Sequence, residues 1–191
     1  NYLYSTDGIT WTEGTVEMGV FSVCYGNGYF VLSGATNYNT FAYSTDGITW
    51  TYVNTEEMYL LPSICYGVDK YLAVGVYPGD SFASAMMYSM NLTEWKTTNK
   101  SVDFSGSFYY ICHGDNGFVA TKYNSNTCLH STDGINWENV TISDTARSWG
   151  AICYGNGKYI ALDSTVITRN WYSVCYGNDK FVAVAYNSNY F

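Results

Sequence analysis

Apolar and aromatic residues along this chain fall in short runs broken by glycine, asparagine and aspartate. No stretch keeps the i, i+3, i+4, i+7 spacing of an amphipathic helix. The pattern predicts strands joined by tight turns throughout. Phe21-Ser-Val-Cys-Tyr25 reads as one strand and Tyr29-Phe-Val-Leu-Ser33 as the strand returning from it. Between them, Gly26-Asn27-Gly28 supplies the positive φ angles that a primed hairpin turn demands. A loop of small and polar residues follows, then a third strand ending at Tyr43-Ser44. The Asp46-Gly47 turn then leads into a fourth strand through Trp50.

This unit recurs. One phrase stands at Tyr4–Trp11, Tyr43–Trp50, Tyr88–Trp95 and His130–Trp137; a second opens at Cys24, Cys65, Cys112, Cys153 and Cys175. Alternation of the two phrases at a period of roughly forty residues marks a repeat architecture, circular or linear. The hairpins predicted for the second phrase lie at about 21–33, 62–75, 109–122, 150–163 and 172–185, all within one domain over 1–191. The cysteines are 41, 47, 41 and 22 residues apart, so the last interval is short by about half a unit. Its segment Ser164–Asn170 runs straight into Trp171, which holds the position four residues before Cys175 that Val20, Leu61, Phe108 and Trp149 hold elsewhere. The expected fold is therefore an all-β, five-bladed β-propeller of four-stranded antiparallel blades, one lacking its outer hairpin. Closure of the ring is expected from N-terminal outer strands pairing with C-terminal inner strands, which protects the sheet edges.

Composition narrows the partners. The net charge is −8 with only 8 Lys and Arg, so nucleic acid and anionic membrane are poor partners, and no apolar segment is long enough to span a bilayer. Five of the six cysteines occupy one repeat position and read as small buried hydrophobes, with Cys128 a lone thiol. His113 and His130 stand where other copies carry Tyr and read as packing variants. No His or Cys cluster has zinc spacing, no calcium loop is present, and neither metal nor cofactor is expected.

In the first phrase, the side chains of Ser5, Ser44, Ser89 and Ser131 and of Asp7, Asp46, Asn91 and Asp133 can accept N–H bonds within their turns. Trp11, Trp50, Trp95 and Trp137 are large enough to fill the space between neighbouring sheets. Ser44-Thr45-Asp46-Gly47-Ile48-Thr49-Trp50 resembles the Asp-box, or bacterial-neuraminidase-repeat, motif of β-propellers, one residue shorter than its usual form. The copy with Asn91 and Leu92 departs further. The resemblance implies turn staples remote from the binding face. It also implies kinship with phage tail or tail-fibre and secreted bacterial surface proteins, hence an extracellular or virion-surface location.

Function is expected elsewhere. The hairpin turns and boxed turns share one face and are nearly uniform, whereas loops on the opposite face differ widely between copies. That variable face carries the candidate ligand residues Tyr77, Tyr109, Tyr123, Asn124, Trp149, Trp171, Tyr186 and Asn187. Aromatic faces beside amides suit a sugar, whose C–H faces stack while its hydroxyls bond to planar polar groups. A non-catalytic module recognising cell-surface carbohydrate is the leading reading, with a protein-binding or structural propeller as the alternative and a glycan-degrading enzyme third. Neuraminidases as a family grip their substrate with three arginines, and this chain has only Arg147 and Arg169. Glycosidase chemistry needs two carboxylates about 5–10 Å apart, and no such pairing is visible among Glu56, Glu57, Asp80, Asp103 and Asp144. A larger multidomain or multimeric parent fits a module of this kind.

Overall fold

The computed structural model describes residues 1–36, 39–55, 60–77, 83–98, 108–164 and 170–186. Strands β1 (Tyr2–Tyr4) and β2 (Thr12–Gly14) pair with each other. Three four-stranded sheets follow. The first holds β3 (Gly19–Gly26), β4 (Tyr29–Thr36), β5 (Asn39–Ser44) and β6 (Thr51–Asn54). The second holds β7 (Leu60–Gly67), β8 (Lys70–Tyr77), β9 (Ala83–Ser89) and β10 (Lys96–Thr97). The third holds β11 (Phe108–Gly114), β12 (Gly117–Lys122), β13 (Thr127–Ser131) and β14 (Glu138–Thr141). Two hairpins complete the chain: β15 (Trp149–Gly155) with β16 (Lys158–Asp163), and β17 (Asn170–Gly177) with β18 (Lys180–Tyr186). Every pairing is antiparallel.

Three hairpin turns take the left-handed backbone that their residues permit, Asn27 and Gly28 at φ 46 and 82, Asn156 and Gly157 at 47 and 72, Asn178 and Asp179 at 48 and 60, whereas at β11–β12 only Gly117, at 112, has positive φ. The second hairpin pays for the same geometry with Val68 at φ 47, where a β-branched side chain is crowded. The first strands lie side by side in chain order, β3 by β7, β7 by β11, β11 by β15 and β15 by β17.

Apolar side chains of successive sheets fill the gaps between them. Val31 and Phe41 of the first sheet pack with Leu61, Ile64, Tyr71 and Met87 of the second. Leu72, Val74 and Met86 of the second pack with Phe108, Ile111, Phe118 and Leu129 of the third. Trp95 stacks on Phe41 of the preceding sheet, ring centroids 3.5 Å apart and 4° from parallel. Trp137 is buried among residues of the second and third sheets, and Trp50 donates its Nε1–H to the Tyr2 hydroxyl at 3.0 Å. Trp11 is 57% exposed, because the described residues place no sheet beneath it.

Glycines at the ends of the first strands set the closeness of this stacking. A Cβ added at Gly26 would land in the ring of Tyr66, at Gly67 in that of His113, at Gly114 in that of Tyr154, and at Gly155 in that of Tyr176. His113 thus fills a tyrosine's place, and burial lowers its basicity.

Two expectations change. Among the described residues β1 pairs only with β2 and β17 only with β18, so the expected closure between the termini is not observed. The faces at the two ends are uncovered among the described residues: Phe21, Val23 and Tyr25 on β3 are exposed, as are Val182 and Val184 on β18. For the same reason Cys175 is exposed rather than buried, while Cys24, Cys65, Cys112 and Cys153 are partly buried. All six cysteines are free, and burial pushes the Cys24 and Cys112 thiols up to about 12, which makes them poor nucleophiles.

Candidate functional site

Each first strand starts at the rim where the variable loops lie, and each second strand ends there. Near that rim every first strand breaks register: between Val20 and Ser22, Leu60 and Ser63, Phe108 and Tyr110, Trp149 and Ala151, and Trp171 and Ser173. Such bulges redirect neighbouring side chains. In β11 the break leaves Tyr109 against Tyr123, while Tyr110 lines a cavity bordered by all five first strands.

That cavity has a volume of about 430 Å³, within the range of small-ligand sites. Ser22, Ser63 and Ser173 contribute hydroxyls, Tyr110 an aromatic ring, and Val23, Ile64, Ile152 and Val174 an apolar wall. None of its lining residues is charged. The Ser63 hydroxyl accepts the Ile111 N–H at 3.2 Å, which ties the second sheet's first strand to the third's.

On the third sheet, Tyr109 and Tyr123 meet edge to face, centroids 6.0 Å apart at 65°, and stay 40% and 58% exposed. Asn124 follows at φ 50, a conformation asparagine tolerates, which turns the loop sharply outward. The loop is fastened from below. Ser125 and Arg147 exchange backbone bonds at 2.9 and 3.1 Å, and the Ile142 N–H donates to the Asn126 carbonyl at 2.9 Å. The Trp149 Nε1–H donates to the Ser125 carbonyl at 3.1 Å, and Arg147 holds Asp163 at 2.7 Å. Tyr109, Tyr123, Asn124 and Trp149 are thereby brought to one place between the third sheet and the β15–β16 hairpin. Trp149 buttresses this corner instead of presenting an open face. Tyr77, Trp171 and Tyr186 are placed by backbone alone at rim ends of β8, β17 and β18, with Asn170 opposite Tyr186. Asn187 lies outside the described residues.

Sequence reasoning missed two parts of this site. Lys122 is only 5% exposed, donating to the Asn139 side-chain oxygen at 3.2 Å with its ammonium 5.4 Å from the Phe108 ring centroid. Its position one residue before Tyr123 was the available signal. The bulges, with Phe21 and Pro62 at the cavity, had no uniform signal in residue type: three breaks hold an aromatic, the others Pro62 and Gly150. Among the described residues no group of three or more His, Cys, Asp and Glu could hold a metal, and no helix is long and apolar enough to cross a membrane.

Antiparallel sheets with their first strands around one cavity define a protein of the β-propeller class. Solved structures carry the same fold. YCF48 bound to a D1 peptide matches at a TM-score of 0.65 with 11% identity, over 91% of this chain and 62% of that one. YCF48 from Cyanidioschyzon merolae matches at 0.57 with 17% identity, over 91% and 58%. A glycosyl hydrolase from Bacteroides ovatus, at a TM-score of 0.46 and 14% identity over 88% and 60%, is too distant to argue from. This chain therefore spans less than two thirds of the length of these structures. No protein-family model matches the chain, and no curated protein does.

Proposed function

We propose that the chain is a non-catalytic binding module that holds a neutral carbohydrate on the Tyr109–Tyr123 corner. The carrying observation is an exposed aromatic pair with Asn124 next in the chain, on the sheet whose Tyr110 lines a cavity without charged lining. A sugar's C–H face stacks on Tyr123, its hydroxyls meet the Asn124 amide, and the serines and Tyr110 favour an uncharged ligand. Trp171, Tyr186, Tyr77 and Asn187 belong to the same rim in this reading, and several such weak sites on one platform gain avidity on a multivalent surface. Five units arranged as a closed ring, within a larger cell-surface or virion protein, complete the proposal.

The test is a glycan array followed by titration of the best ligand. Tyr123→Ala is expected to weaken binding about tenfold or more, the equivalent of about 1.4 kcal/mol, with the circular dichroism spectrum unchanged. Silence across the array, or full affinity in Tyr123→Ala, sinks the reading.

One observation favours a second reading, an extended peptide. Interrupted ladders around the cavity mouth suit main-chain bonding of an added strand, and the YCF48 structure named above holds a peptide. Capture of a protein partner with no glycan signal selects this reading.

A further inference from the structure

Strand β16 repeats β8 almost residue for residue: Lys158-Tyr-Ile-Ala-Leu162 against Lys70-Tyr-Leu-Ala-Val74. The likeness extends to a contact, since Tyr71 and Tyr159 each donate a hydroxyl to a glycine carbonyl of the preceding sheet, Gly26 and Gly117. Their outer edges differ. β8 carries β9 in the register Tyr71↔Ser89, Leu72↔Tyr88, Ala73↔Met87 and Val74↔Met86. β4 and β12 carry β5 and β13 in the equivalent register, Phe30 opposite Ser44 and Phe118 opposite Ser131. Among the described residues β16 carries no strand there. Residues 78–107, thirty in number, separate β8 from β11, but only the six residues 164–169 separate β16 from β17. Six are too few to run along the edge and come back.

This bare edge is open to pairing. Its middle, Tyr159-Ile-Ala-Leu162, holds neither charge nor proline, the residues that blunt an edge strand. All four are half-buried, whereas Tyr71, Leu72, Ala73 and Val74 are each 0–1% exposed beneath β9. The neighbouring wall is uncovered as well. Val140 pairs with Cys128 as Val53 pairs with Phe41, yet Val140 is 37% exposed and Val53 only 9%. Ala85 and Met87 of β9 belong to the cluster that buries Val53, and β16 has no such strand to bury Val140.

We infer that the outer edge of β16 receives an extended segment of a partner protein, which adds the third strand that this sheet lacks. The three complete sheets specify its side chains. Opposite Tyr159 they set serine, and opposite Ile160 tyrosine or histidine. Opposite Ala161 they set Ala, Met or Leu, and opposite Leu162 Phe, Met or Cys. Read along its own chain, the segment is two apolar residues, then Tyr or His, then Ser. Its residue opposite Ala161 covers Val140, as Met87 covers Val53. A folded second copy does not fit as the occupant, because β13 and β14 of the adjacent third sheet reach two strands beyond the level of β16. A single extended segment passes beside that wall. This edge lies on the far side of β16 from β15, the strand that borders the cavity, so the site is separate from the cavity and from the Tyr109–Tyr123 corner.

Hydrogen–deuterium exchange of the intact chain tests the edge, with light scattering to follow the mass. The probe is a synthetic copy of β9, Ala83–Ser89, flanked by lysines for solubility. It is expected to slow exchange of the β16 amides several-fold and to leave β8 and β12 unchanged. The same peptide carrying Met87→Pro cannot complete the ladder and is expected to give no protection. Amides of β16 as slow as those of β8 in the free monomer mean that the edge is already covered, and overturn the proposal. So does unchanged β16 exchange with the peptide in large excess, protection by the proline peptide, or protection that arises only as the mass doubles. Slowing confined to the first strands at their register breaks belongs to the peptide reading of the rim and overturns this one. Glycan titration of Tyr123→Ala reads the corner separately, so failure of one proposal leaves the other standing.

Discussion

At the scale of single residues, the repeated Ser-x-Asp turns show how one carboxylate organises a loop. Asp7 Oδ1 accepts the N–H groups of Ile9 and Thr10 at 2.8 and 2.7 Å, and Asp46 accepts those of Ile48 and Thr49, both at 2.8 Å. The serine hydroxyl closes the turn, with the Gly134 N–H donating to Ser131 Oγ at 2.8 Å. Bonds from the Thr10 and Thr49 N–H groups, then from Ile9 and Ile48 and the serines, hold Asp7 and Asp46 far below the usual carboxylate range. At Asp133 burial pushes upward, but bonds from Asn136, Ile135 and Ser131 outweigh it and bring the group from 3.8 down to about 2. A depressed carboxylate stabilises the fold fully above its unfolded value and loses that contribution as pH falls towards its folded value. Stability from Asp133 is therefore expected to fall between about pH 4 and pH 2, by no more than about 1 kcal/mol after solvent screening. Urea midpoints of Asp133→Asn should be flatter across that window than those of the wild type. The variant should still fold, because Asn91 already makes the turn with an amide at 3.1 and 2.9 Å.

At the scale of elements, the hairpins were legible because their turns require a few residue types. Asn27-Gly28 and Asn156-Gly157 announce a primed turn, and the structure puts each residue at positive φ. Val68 does not announce it; the position is recognisable only by alignment with the other copies. Val68→Asn is expected to relieve the crowding and raise stability by about 1 kcal/mol, seen as a higher thermal midpoint. Gly155→Ala should do the reverse, since its Cβ meets the Tyr176 ring, at a cost of about 1–3 kcal/mol. Tyr109, Tyr123, Asn124 and Trp149 were legible as rim residues because strand ends place them there. Their distinct roles were not, because those depend on a bulge. Aromatic residues stand at three register breaks, Phe21, Tyr109 and Tyr172, but Pro62 and Gly150 stand at the other two, so only pairing with the second strand reveals the extra residue. The tie from Arg147 to Asp163 was equally hidden, since it joins a connecting segment to the far end of β16.

At the scale of the whole molecule, burial is unequal along the arc, and stability should follow it. In β8, Tyr71, Leu72, Ala73 and Val74 are each 0–1% exposed, gripped by sheets on either side. In β12 every residue but Val119 is buried. By contrast β16 has no fully buried residue, and the described residues give the β15–β16 sheet no outer strands. A repeat array draws its stability from each unit and from the interfaces with its neighbours, so a unit with less of both opens first. Backbone amides of β16 are accordingly expected to exchange with deuterium at least tenfold faster than those of β8 and β12, a gap of about 1.4 kcal/mol in local opening. Uniform protection across β8, β12 and β16 would mean the chain opens as one cooperative body, and the unit-by-unit account of its stability would fail.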